Sequence, residues 1–157
     1  MELRKFIERT AATGILGVKI TQNGEDMGKH LWDEECRRNI YSASKSFTSA
    51  AVGIAVKEGL LRLEERLVDA FSEDIPENPN EFLQQATVRD LLTMCLGQQN
   101  AELMGGQRPF YQQKDWVRMS LAFPFTECPG KRFLYNNVGP YLAGMYRGGR
   151  VAIWCPI

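Results

Sequence analysis

Ser42 and Lys45 stand three residues apart at the start of a long run of small apolar residues. Residues at that spacing share a face of a helix, so the hydroxyl and the amine come within reach of each other. The chemistry this pairing allows is nucleophilic. A serine attacks an acyl carbonyl poorly until a base takes its proton, and a desolvated lysine is able to take it near neutral pH. Burial works in that direction, because a low-dielectric setting disfavours the charged ammonium. The same spacing also fits a core helix that carries one lysine near its start.

For the pair to act, the chain must deliver Ser42 at a junction and begin a helix immediately after it. Residues 38–41 read as a third extended segment leading into the serine, so that two or three strands precede it. Residues 43–58, with Phe47, Ala50, Ala51, Val52, Ile54, Ala55 and Val56, are apolar on nearly every side. That pattern predicts a central helix buried all round, with Gly59 as its left-handed stop. Upstream, residues 2–10 have helical spacing with Leu3, Phe6 and Ile7 on one side. Residues 15–21 alternate as a strand, Asn23-Gly24 is a tight-hairpin signal, and residues 29–33 read as the returning strand.

Downstream, residues 60–71 read as a turn and a short helix, and residues 72–80, with Pro76 and Pro79, as a loop. Thr87 and Asp90 have the spacing of a capping box, opening a helix that Gly97 ends. Residues 98–107 are polar and glycine-bearing, which predicts a surface loop beside a cleft. Residues 112–122 are amphipathic through Trp116, Val117, Met119 and Leu121. The predicted class is α+β, mostly helical, with a short antiparallel sheet of N-terminal strands.

Composition narrows the partners. Nineteen basic residues balance nineteen acidic ones, so nothing in the charge favours nucleic acid or an anionic membrane. No apolar run is long enough to span a bilayer, and the first residues lack the apolar region of a secretory signal. These features predict a cytoplasmic protein. The four cysteines (Cys36, Cys95, Cys128, Cys155) and the single His30 are scattered, without the clustering a zinc site needs. The expectation is free thiols in a reducing compartment, no metal and no cofactor.

Four blocks in order carry a resemblance. They are Ile40-Tyr41-Ser42-Ala43-Ser44-Lys45-Ser46-Phe47-Thr48, then Lys57-Glu58-Gly59-Leu60-Leu61-Arg62-Leu63-Glu64-Glu65, then Ala86-Thr87-Val88-Arg89-Asp90-Leu91-Leu92-Thr93-Met94. The last, residues 128–139, contains Phe133-Leu134-Tyr135-Asn136-Asn137 and runs into Tyr141-Leu142-Ala143-Gly144. The series, spanning residues 15–144, resembles the serine β-lactamase and penicillin-binding-protein superfamily in its class C β-lactamase-like branch. That branch also holds esterases and D-amino-acid peptidases. The resemblance implies a β-lactamase/transpeptidase-like fold and a small-molecule acyl substrate: a β-lactam, an ester or a D-amino-acid peptide. It makes Ser42 the acylated nucleophile and Lys45 its proton acceptor. Tyr135 and Asn137 match the family's Tyr-x-Asn motif, in which the tyrosine shares proton transfer and the asparagine binds the substrate amide or the lysine. By themselves, Tyr135 and Asn137 also fit a core tyrosine and a turn asparagine ahead of a helix.

Two departures from the family pattern stand out. Met94-Cys95-Leu96-Gly97 replaces a His-x-Ser-Gly-like segment that holds no catalytic position. More seriously, nothing after Tyr135 matches the third motif, Lys-Thr-Gly or His-x-Gly, whose strand donates one oxyanion-hole N–H. Loss of one such donor typically costs about 100- to 1,000-fold in rate. The expected organisation is an incomplete hydrolase domain over residues 1–145, with the C-terminal strands of the family sheet missing. Residues 146–157 read as an atypical tail, with Gly148-Gly149 poor in a helix, and a frameshift in a longer hydrolase gene would account for it. The competing expectation for function is an inactive fragment that binds or self-associates through an exposed sheet edge.

Overall fold

Asn23 and Gly24 both adopt positive φ, 53° and 83°. This is the two-residue turn whose twist matches that of paired strands. It joins β1 (Gly17–Gln22) to β2 (Glu25–Leu31) in an antiparallel pair. Gln22 pairs with Glu25 directly across the turn, so the returning strand starts at Glu25 rather than at residue 29. A register shift between Ile20 and Thr21 bends the ribbon. Helix α1 (Arg4–Thr10) lies beside it. A Cβ on Gly28 would come within 2.8 Å of Leu3 Cδ1, and the Phe6 and Trp32 rings meet at a tilt of 58° with centroids 6.3 Å apart.

The computed structural model describes residues 3–146, and the chain divides into two compact units, Met1–Ile40 and Tyr41–Ile157. In the first unit the expected third strand does not form. The sheet has two strands among the described residues, and residues 34–40 carry no regular structure. Four residues are too few to register an alternation, and this stretch is tied instead by exposed ion pairs, Lys29–Glu35 at 2.9 Å and Arg38–Asp33 at 2.7 Å.

The second unit opens with Tyr41 at φ 45°, in a short 3₁₀ turn (Tyr41–Ser44) that runs straight into α2 (Lys45–Lys57). Gly59 ends α2 as expected, at φ 72°. Its N–H donates to Val56 O and the Leu60 N–H reaches back to Ala55 O, the pair of bonds that closes a helix through a left-handed residue. Burial of α2 departs from expectation. Thr48, Val52 and Ala55 form one buried face, whereas Phe47 and Ile54 are 69% and 59% exposed. An apolar sequence on all sides therefore covers a helix with only one packed face, the one nearer α7.

The core lies among α3 (Leu67–Ala70), α4 (Glu81–Gln85), α5 (Val88–Thr93), α6 (Trp116–Ala122) and α7 (Val138–Met145). Leu67, Leu91, Leu96, Leu121 and Leu142 are fully buried, each stabilising by roughly 2 kcal/mol. These helices are short, so caps matter. Asn80 Oδ1 accepts from Leu83 N–H, and Asp115 Oδ1 accepts from Val117 and Arg118. The predicted Thr87–Asp90 capping box forms, with Thr87 N–H donating to Asp90 Oδ2 at 2.9 Å.

Two glycines set close approaches. A Cβ on Gly139 would lie 2.3 Å from Leu91 O, so α7 crosses α5 at a distance only glycine permits. A Cβ on Gly97 would lie 2.1 Å from Glu127 O. Gly97 therefore serves a backbone crossing beside the Gln98–Phe125 bridge, and α5 ends earlier, at Met94 with φ 56°. The residue at the end of α7, Tyr146, is buried against Phe71 and donates to Glu65 Oε1 at 2.9 Å. The tail expected from sequence falls, beyond Tyr146, outside the described residues. Among the described residues, no helix is long and apolar enough to cross a membrane.

Candidate active site

Ser42 lies exposed in the 3₁₀ turn and Lys45 is the first residue of α2. The three-residue spacing does what helical geometry predicts: Lys45 Nζ donates to Ser42 Oγ at 3.3 Å. Lys45 is half-buried, at the rim of the unit rather than within a core helix.

The other half of the site comes from the segment entering α7. Leu134 N–H donates to Met94 O at 2.9 Å, fixing the segment beside the end of α5. Asn136, 1% exposed, turns inward. Its Nδ2 donates to Leu134 O and its Oδ1 accepts from Gly139 N–H, pinning the turn into the helix. Tyr135 and Asn137 flank this peg, and both reach the first half. Tyr135 Oη donates to Ser42 Oγ at 2.5 Å, and Lys45 Nζ donates to Asn137 Oδ1 at 2.6 Å. Lys45 Nζ also sits 5.2 Å from the centre of the Tyr135 ring, within cation–π range. All four residues singled out from sequence thus meet in one cluster, although 92 residues separate Lys45 from Asn137.

The electrostatics of the cluster favour a tyrosine that gives up its proton. The hydrogen bond with Ser42 is the largest influence lowering the Tyr135 pKa below the ordinary tyrosine value. Partial burial opposes it, and the hydrogen bond and charge of Lys45 reinforce it. An O···O distance of 2.5 Å is that of a charge-assisted bond, and it serves a phenolate accepting from Ser42 as well as a phenol donating to it. Chemically, the arrangement joins a hydroxyl, a phenol whose pKa is lowered and an amine, within hydrogen-bond reach of one another at the hydroxyl.

The sequence did not point to Glu102 and Leu103. Asn137 N–H donates to Glu102 O at 3.1 Å and Asn137 Nδ2 donates to Leu103 O at 2.9 Å. They belong to the stretch expected to be a surface loop, yet Gln98 is 2% exposed and Leu103 fully buried. The stretch is in part an inward-folded support. Its one signal in the sequence is the apolar pair Leu103-Met104 inside polar and glycine residues. Among the described residues, Cys36, Cys95 and Cys128 are free thiols and no group of His, Cys, Asp or Glu is placed to hold a metal ion.

The family model described as Beta-lactamase matches residues 3–148. No curated protein matches the chain. Among solved structures, the chain is similar to the octameric penicillin-binding protein homologue from Pyrococcus abyssi. The identity is 24% and the TM-score 0.64, over 92% of this chain and 38% of that one. It is also similar to a protein assigned as a 6-aminohexanoate-dimer hydrolase from Bacillus anthracis. There the identity is 17% and the TM-score 0.58, over 92% of this chain and 41% of that one. At these identities the likeness shows the fold, β-lactamase/transpeptidase-like, and the chain spans about two-fifths of the length of each structure.

Proposed function

The chain belongs to the beta-lactamase family, and from that premise we propose that it is a serine acyl-hydrolase module acting on an ester or amide of a small molecule. The observation that carries the reading is the position of Ser42 Oγ, within hydrogen-bond reach of both Tyr135 Oη and Lys45 Nζ. In the first step Ser42 Oγ bonds to the acyl carbon while its proton passes to the Tyr135 oxygen. Collapse of the tetrahedral intermediate breaks the bond to the leaving group, which departs with a proton returned through Tyr135 and Lys45. Water, deprotonated by the same pair, then attacks the acyl-serine, releasing the acid and restoring Ser42. Asn137 holds Lys45 beside this relay and presents a buried amide at the edge of the site. β-Lactams, esters and D-amino-acid peptides all offer the carbonyl this route requires.

The test is covalent. A fluorophosphonate probe should label the wild-type chain at Ser42, with intact-mass and peptide mapping locating the adduct, and should leave Ser42→Ala unlabelled. A wild-type chain that stays unlabelled would sink the proposal.

One observation favours a second reading, an inactive module that self-associates. The apolar face of α2 is open at Phe47 and Ile54, and β1 and β2 each pair on one side only among the described residues. Such surfaces pair with other chains. Sizing chromatography over a range of concentrations should then show concentration-dependent assembly; a monomer at every concentration counts against it.

A further inference from the structure

The loop between Gln98 and Tyr111 is closed on itself by side chains, and its fixed point is a backbone conformation that leucine rarely adopts. Leu103 has φ 58° and is fully buried. In that left-handed conformation its carbonyl accepts from Asn137 Nδ2 at 2.9 Å and from Arg108 Nε at 3.3 Å. The neighbouring groups lock it there. Leu103 N–H donates to Tyr111 Oη at 3.3 Å, and the same hydroxyl donates to Glu102 Oε2 at 2.7 Å. Gln107 bridges Met104 N–H and Ala101 O. The Tyr111 ring is held in turn against Trp116 and Phe123.

An asparagine amide has a donor end and an acceptor end of nearly equal size, and only its surroundings decide which end faces Lys45. A flipped Asn137 would point two N–H donors at an ammonium. The Leu103 carbonyl forbids this by giving Nδ2 an acceptor, which leaves Oδ1 for Lys45 at 2.6 Å. We propose that Leu103 is a positioning residue: its left-handed backbone, clamped by Tyr111 and Glu102, sets the orientation of Asn137 and through it holds Lys45 between Ser42 and Tyr135. This rests on the hydrolase reading above only for its effect on catalysis; the effect on Asn137 stands apart from it.

The experiment compares Leu103→Gly with Leu103→Ala, which both remove the buried contacts beyond Cβ but differ in tolerance of positive φ. If the backbone conformation is the essential feature, Leu103→Gly keeps the faster fluorophosphonate labelling at Ser42 and Leu103→Ala falls about tenfold below it. A packing role alone predicts the two to be equal, or alanine to be better, and that result overturns the proposal. Tyr111→Phe keeps the ring contacts and removes the clamp. It should slow labelling several-fold and move the rising limb of the pH profile upward, because Lys45 no longer stays against Tyr135. An unchanged rate and profile would count against the clamp. Side-chain amide exchange of Asn137, read by NMR, is the arm that needs no catalysis. Slow exchange in wild type and Leu103→Gly with fast exchange in Leu103→Ala supports the positioning even where no variant is labelled. Equal exchange in all three refutes it.

Discussion

The two halves of the site are built differently. Ser42 and Tyr135 are exposed side chains, and Ser42 meets Lys45 through local helical spacing. Asn137 is 8% exposed and is held by the bonds it donates to the carbonyls of residues 102 and 103, far away in sequence, at the start of a helix packed against α5. The exposed half is where chemistry is offered, and the buried half is where position is stored. The difference implies that substitutions on one side should remove reactivity with the fold intact, while those on the other should take fold and reactivity together.

The largest effect should come from behind the buried half. Gly139→Ala places a Cβ 2.3 Å from Leu91 O, which forces α7 away from α5 and should cost about 3 kcal/mol. Thermal denaturation should show a midpoint lowered by roughly 10 °C, with probe labelling reduced alongside it. A fully stable Gly139→Ala would break the distinction between the halves. Asn137→Ala comes next. It removes the acceptor of a charge-assisted bond from Lys45, and should cost about 2 kcal/mol in urea titration while slowing labelling.

The smallest effect on stability should be that of Tyr135→Phe, within about 0.5 kcal/mol of wild type. Its consequence lies in pH. The depressed pKa of Tyr135 means that phenolate forms at a lower pH than for a free tyrosine, so labelling should rise with pH through that lowered value. Tyr135→Phe should lack this limb. In Ser42→Ala the largest cause of the depression is gone, so the Tyr135 titration, followed by tyrosinate absorbance against Tyr135→Phe, should move upward. Tyr111 and Tyr146 provide the internal contrast. Burial, with Glu102 and Glu65 beside them respectively, raises both, Tyr146 to about 12. An unshifted or raised Tyr135 in wild type would remove the proton acceptor from the mechanism.

The pairing of Ser42 with Lys45 was legible in the sequence, because it depends on spacing. Ser42 and Lys45 meet by helical geometry, and the Asn23-Gly24 turn, the Thr87–Asp90 box and the Gly59 cap depend on local residue types with known backbone preferences. Tyr135 and Asn137 were found only through the family resemblance, since their partners are about ninety residues away. What remained hidden has two physical causes. Glu102 and Leu103 act through carbonyl groups, which every residue carries, so no side-chain type marks them. The apolar run of α2 records which residues avoid water but not which partner covers each face, and so Phe47 and Ile54 were placed in a core that the described residues do not supply. Residues 38–41 failed as a strand for want of length, and the left-handed Tyr41 turned the chain instead.

The boundary between the two compact units falls one residue ahead of Ser42, between Ile40 and Tyr41. Ser42, Lys45, Tyr135 and Asn137, with every hydrogen bond described among them, therefore belong to a single compact unit. Fraying of the hairpin block would by itself sever none of those bonds, so the two blocks are free to differ in local opening free energy. Gly139 and Leu103 lie in the same unit as those four residues, so drift at either acts on the unit that holds the cluster.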